Sequence, residues 1–168
     1  MFAPAALAPS LDKPAAYAEI AAQLEALLTG ERDFIANAAN CAALLFNTLP
    51  DLNWAGFYLL QGNQLVLGPF QGKPACVRID VFPVARGVCG AAAFTRTTQV
   101  VEDVHAFPGH IACDSASNSE IVVPLLHGDR LIGVLDLDSP KAARFDADDR
   151  EGIEQLARIF LAMTDLPD

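Results

Sequence analysis

The sequence predicts a single α+β domain: an antiparallel β-sheet packed by N- and C-terminal helices, with long loops carrying the candidate site on its other face. Three observations predict it. Apolar residues recur at helical spacing near both ends of the chain, the middle holds short β-rich runs joined by Gly-containing turns, and several of those runs are separated by longer polar loops. Such a sheet buries one face under the amphipathic helices. At 168 residues the chain suits one core. Residues 1–12, which include Pro4 and Pro9, read as a flexible N-terminal arm, and 13–168 as the domain.

Taken in order, Tyr17, Ile20, Ala21, Leu24, Leu27 and Leu28 predict a helix from Pro14 to Leu28, stopped by Thr29-Gly30. Phe34, Ile35, Ala38, Cys41, Ala42, Leu45 and Phe46 predict a second over Glu31 to Leu49, ended by Pro50. Cys41 falls on its apolar face, as a small core residue would. Trp54 to Leu60 and Gln64 to Phe70 form a hairpin around Gln61-Gly62-Asn63, and Cys76 to Ile79 a third strand. Gly87 to Phe94 is a short helix, and Gln99 to Val101 a brief strand. Ile121 to Leu126 and Arg130 to Leu137 are central strands around His127-Gly128-Asp129. Asp146 to Met163 closes the domain as a helix, with Asp146, Asp148 and Asp149 at its positive end.

Composition excludes several function classes. With 11 Lys+Arg against 21 Asp+Glu and a net charge of -10, the chain has no basic cluster to bind nucleic acid or anionic lipid. No apolar run is long enough to span a bilayer. The first ten residues lack a basic segment and are interrupted by prolines, so a secretory signal is not expected and the cytoplasm is the expected location. Four cysteines are too few for a secreted disulfide scaffold, which leaves buried, metal-binding or catalytic roles.

The residues with chemistry cluster in the polar stretch His105 to Glu120, which contains His110 and Cys113 and runs into the apolar Ile121 to Leu126. A loop of this kind between core strands is where binding groups are displayed. Four segments carry a family resemblance: Asn53-Trp54-Ala55-Gly56-Phe57-Tyr58, Gly87-Val88-Cys89-Gly90, Phe107 through Pro124, and Gly133-Val134-Leu135-Asp136-Leu137-Asp138-Ser139. Together they resemble the free methionine-(R)-sulfoxide reductases, which have the GAF fold, over roughly residues 15 to 163. The resemblance implies an oxidoreductase that reduces free methionine-(R)-sulfoxide with no bound cofactor, its thiols regenerated by thioredoxin or, in vitro, dithiothreitol. It implies Cys113 as the catalytic cysteine, Cys76 and Cys89 as the pair from which the resolving thiol is drawn, and Trp54, Glu120, Asp136 and Asp138 as substrate-pocket residues. Relative to the family pattern, Asp80-Val81-Phe82 is inserted before Pro83. By analogy with GAF domains a homodimer is expected.

The chemistry asks for the same residue types. A thiolate must attack the sulfoxide sulfur while an acid protonates the departing oxygen, and a second thiol must then condense with the resulting sulfenic acid. Asp136 and Asp138, two apart on a strand, project from one face, while Leu135 and Leu137 project from the other. Two acids so placed repel unless a cation or a proton sits between them. The ammonium of a free amino acid would meet that need, with Glu120 joining the cluster and one of the three acids staying protonated. Trp54 would wall the pocket against the S-methyl group. His110, beside Pro-Gly, reads as structural rather than catalytic. Two other classes compete: a GAF-type small-molecule or redox sensor without turnover, and a structural zinc site on Cys76, Cys89, His110 and Cys113. The second is disfavoured because short Cys-x₂₋₄-Cys pairs are absent, and no metal is expected.

Overall fold

The computed structural model describes residues 5–109 and 115–167. The described residues form helices α1 (Lys13–Leu28), α2 (Phe34–Thr48), α3 (Gly87–Thr95) and α4 (Ala147–Met163), and strands β1 (Trp54–Gln61), β2 (Gln64–Gly72), β3 (Arg78–Asp80), β4 (Gln99–Val101), β5 (Ser119–His127) and β6 (Arg130–Ser139). The strands make one antiparallel sheet in the order β3-β2-β1-β6-β5-β4. β6 therefore lies between β1 and β5, as the sequence predicts for the second hairpin.

Helices α1, α2 and α4 each begin where a side chain satisfies free N–H groups, whereas α3 has no side-chain cap. The Asp12 carboxylate accepts from Ala15 N at 2.9 Å to start α1. α2 starts at Phe34 rather than Glu31 because Asp33 caps it, accepting from Ala36 N at 2.8 Å, while Glu31 accepts from the N–H groups of Arg32 and Asp33 in the preceding turn. α4 has a reciprocal capping box between Asp146 and Asp149. In the arm, Ala5 exchanges two hydrogen bonds with the Gln23 side chain, and Leu7 packs on the core.

The first hairpin turns through Gly62, whose φ of +61° suits a two-residue turn between Gln61 and Gln64. The third strand differs from its expected bounds. It begins at Arg78, leaving Cys76 outside it, and pairs only with Gln64 to Val66, with one further bond from Leu67 N to Val77 O. The cause lies in β2: its register shifts opposite Gly56 to Tyr58, at Gly68-Pro69, and proline offers no N–H to extend the ladder.

The two faces of the sheet have different cores. On one, Ala55 and Phe57, Ile121, Val123 and Leu125, and Leu135 and Leu137 are buried under α1, α2 and α4. On the other, Trp54, Tyr58, Val122 and Val134 are buried under α3 and the loop segments. The period of two along β1, β5 and β6 thus divides a helix-covered layer from a second face, where the site residues lie.

Candidate active site

Cross-strand register assembles the second face. Trp54 on β1 and Glu120 on β5 both pair with Asp138 on β6, while Asp136, two residues back, pairs with Gly56 and Val122. Glu120 and Asp138 are thus directly opposed, with Asp136 diagonal to Glu120, an arrangement of like charges that is unfavourable without compensation. α3 supplies the fourth group from above. Its first turn carries Cys89, whose Sγ lies 3.8 Å from Glu120 Oε1. One ligand atom each from Cys89, Glu120 and Asp136 falls within a sphere of contacts no longer than 4.8 Å.

All three groups are buried: Cys89 is 4%, Glu120 7% and Asp136 5% exposed. Burial, followed by the charges of Asp136 and Asp138, pushes the Glu120 carboxyl well above the usual range. Burial also raises Asp136, to about 7, against hydrogen bonds from Cys89 and Glu120 that pull it down. Cys89 stands at a helix N-terminus, a position that ordinarily favours thiolate, yet burial and the neighbouring acids win and its thiol is pushed well up. No ion pair neutralises Glu120 or Asp136 among the described residues, and Asp136 Oδ1 has no hydrogen-bond partner among them. Burial therefore favours the protonated forms of Glu120 and Cys89 over their charged forms.

Aromatic rings wall this floor. Trp54 is stacked between Tyr58, with centroids 5.8 Å apart, and Phe70, at 5.3 Å. Gly56 permits it, since a Cβ there would meet Trp54 Cη2 at 2.6 Å and Phe70 Cβ at 2.4 Å. Both rings also grip the segment that bears Cys76: Trp54 Nε1 donates to Lys73 O at 3.2 Å, and the Tyr58 hydroxyl donates to Cys76 O at 3.0 Å. Cys76 is half-buried and disulfide-bonded, whereas Cys41 and Cys89 are free thiols. Tyr58, absent from the sequence-level site, was signalled there by its spacing of four from Trp54, which puts both side chains on one strand face.

Cys113 and His110 lie outside the described residues. The flanks of their segment are anchored. Gly109 O accepts from Gly87 N, two residues before Cys89, at 3.1 Å. On the far side, Asn53 Nδ2 donates to Ser117 Oγ at 3.0 Å, Asn118 N donates to Ser139 O at 2.8 Å, and His105 Nε2 lies 3.0 Å from Asn118 Oδ1. Of the stretch read from sequence as one polar loop, Ser119 and Glu120 belong to β5 and are buried, because their pairing with Ser139 and Asp138 extends the central hairpin by two residues.

Residues 36–161 match the GAF domain family. The chain is 55% identical over 146 residues to the free methionine-R-sulfoxide reductase of Escherichia coli K12, covering 87% of each. The chain belongs to the free methionine-(R)-sulfoxide reductases, a GAF-domain family of enzymes. Among solved structures, the family's reductase from Neisseria meningitidis in complex with its substrate superposes with a TM-score of 0.90 at 46% identity, covering 97% of this chain and 95% of that one. A Burkholderia vietnamiensis protein given as a GAF sensor is 60% identical with a TM-score of 0.87, covering 92% and 96%. No described helix of this reductase-family chain is long and apolar enough to cross a membrane.

Proposed function

We propose that this chain reduces free L-methionine-(R)-sulfoxide to methionine. The observation that carries the reading is the trio of Cys89, Glu120 and Asp136, buried under an aromatic wall with no ion pair to the acids among the described residues. A buried carboxyl that favours its proton, set beside further acids, is suited to a substrate that brings its own ammonium and needs a proton on its oxygen. Glu120 and Asp136 share the proton that the sulfoxide oxygen accepts, and Asp138, half-buried beside Trp54, faces the ammonium.

The reaction balances through two thiols of the chain and an external dithiol. The Cys113 thiolate attacks the sulfoxide sulfur; transfer of the oxygen leaves a sulfenic acid on Cys113 and releases methionine. The Cys76 thiol then attacks that sulfenic sulfur, expelling water and forming a disulfide. A thioredoxin-type dithiol reduces the disulfide and is itself oxidised. Support for Cys76 as the resolving thiol is that, among the described cysteines, it is disulfide-bonded while Cys41 and Cys89 keep free thiols. Cys89 stays protonated and binds rather than attacks. The chemistry needs no bound cofactor, and the single domain over 13–168 supplies every group. A cytoplasmic location and a homodimer, by analogy with GAF domains, complete the proposal.

The test is oxidation of thioredoxin or dithiothreitol by the purified chain given the free R epimer, the free S epimer and an N-blocked sulfoxide. Turnover of the free R epimer alone, abolished in Cys113→Ser, is the expected result. Binding without turnover would instead favour the sensor reading, and turnover of the blocked substrate would remove the role given to the acids.

A further inference from the structure

We infer that Cys89, Glu120 and Asp136 form a binding site for a soft divalent cation, of which Zn²⁺ is the natural example and Co²⁺ the spectroscopic probe. The site shares only Cys89 with the cysteine and histidine set considered from the sequence. Its three donors come from three elements, the first turn of α3, β5 and β6, so their spacing is set by the fold rather than by a loop.

The geometry is close to what such an ion requires. Tetrahedral Zn²⁺ with bonds of about 2.0–2.3 Å holds its donor atoms about 3.3–3.8 Å apart. Cys89 Sγ and Glu120 Oε1 already stand 3.8 Å apart, and all three donors lie within 4.8 Å of one another. Closure therefore asks for side-chain movement of an ångström or less. An independent feature points to a ligand: Asp136 is buried, and its Oδ1 has no hydrogen-bond partner among the described residues. A buried carboxylate oxygen without a donor is costly until a proton or cation reaches it. One thiolate and two carboxylates favour Zn²⁺, Co²⁺ or Cd²⁺ over Mg²⁺ and Ca²⁺, which take oxygen ligands in larger numbers. The described residues thus supply three of the four ligands that a tetrahedral ion takes. Binding must release at least the thiol proton, since the sulfur ligates as thiolate. The same acids serve the proposed substrate, so the metal is expected to inhibit competitively; that consequence rests on the proposed function, whereas binding itself is read without turnover.

The experiment titrates Co²⁺ into the reduced full-length chain in a weakly buffered solution against a chromophoric chelator. One ion per chain is expected, with a near-ultraviolet thiolate-to-cobalt charge-transfer band and a fall in pH. The band should vanish in Cys89→Ser, persist in Cys41→Ser and Cys76→Ser, and resist excess Mg²⁺. Asp136→Asn, checked for folding by circular dichroism, should weaken binding at least tenfold and decides the matter if Cys89→Ser does not fold. Absence of stoichiometric Co²⁺, a band that survives Cys89→Ser, a band lost in Cys76→Ser, or unchanged affinity in Asp136→Asn would each overturn the inference.

Discussion

Two groups of buried acid lie on opposite faces of one sheet, and they are neutralised in opposite ways. Under the helices, Asp149 is almost fully enclosed and is met by Lys13 Nζ at 2.6 Å, Arg144 Nη1 at 3.0 Å and the Tyr17 hydroxyl at 2.8 Å. It also accepts from Asp146 N within the cap of α4. Across the sheet, no ion pair to Lys or Arg meets Glu120 or Asp136 among the described residues, and burial pushes both carboxyls toward their protonated forms. The lesson is that burial of charge does not by itself identify a site. Asp149 is a joint between α1, α4 and the Arg144 segment, complete as it stands. Glu120 and Asp136 form a cluster that a cationic ligand would complete. The two buried free cysteines repeat the contrast: burial alone raises Cys41 to about 12, whereas acids add to burial at Cys89.

The sharpest way to break the comparison is to remove one acid from each face. Glu120→Gln should lower kcat for the free R epimer about 10²–10⁴-fold, the usual worth of a positioned acid, with thermal stability unchanged or higher. Stopped-flow release of methionine and a melting curve on the same sample would check both. Asp149→Asn should do the reverse. It strands Lys13 and Arg144, so a loss of about 3 kcal/mol is expected, read by urea unfolding, with kcat/KM of the folded fraction unaltered.

A smaller effect sharpens the electrostatic side. Folded Asp136 keeps its proton up to about pH 7, whereas an unfolded aspartate loses it near about 3.9. The folded state is therefore favoured below that range, and the advantage is lost as pH rises through about 7. Asp136→Asn should flatten the fall in stability between pH 5 and 8, by on the order of 2 kcal/mol, as measured by unfolding at each pH. The smallest effect concerns the aromatic clamp. Tyr58→Phe deletes one hydrogen bond to the Cys76 carbonyl, worth about 1 kcal/mol. It should slow disulfide formation after the first turnover while leaving the initial burst of methionine intact.

Much of this contrast was legible in the sequence, and the part that was not has a physical cause. Helical periodicity located α1, α2 and α4, and strand alternation put Asp136 and Asp138 opposite Leu135 and Leu137, because both patterns repeat over several residues. Placing Glu120 beside them needed only the second hairpin's register. The neutralisation of Asp149 was out of reach, since Lys13 lies at the far end of the chain and nothing local announces the ion pair. The same holds for Cys89, whose approach to Glu120 depends on how α3 settles across the sheet. Cys76 was placed on a strand because its neighbours favour one; the Gly68-Pro69 irregularity in the partner strand decided otherwise.

The most direct test of the two-face account is the infrared difference spectrum between wild type and Glu120→Gln at pH 7, in the region where protonated carboxyl groups absorb. The account predicts a protonated-carboxyl band in wild type that loses intensity in Glu120→Gln and is unchanged in Asp149→Asn. A wild-type spectrum with no such band at pH 7, or one whose band is lost with Asp149 instead, would contradict it.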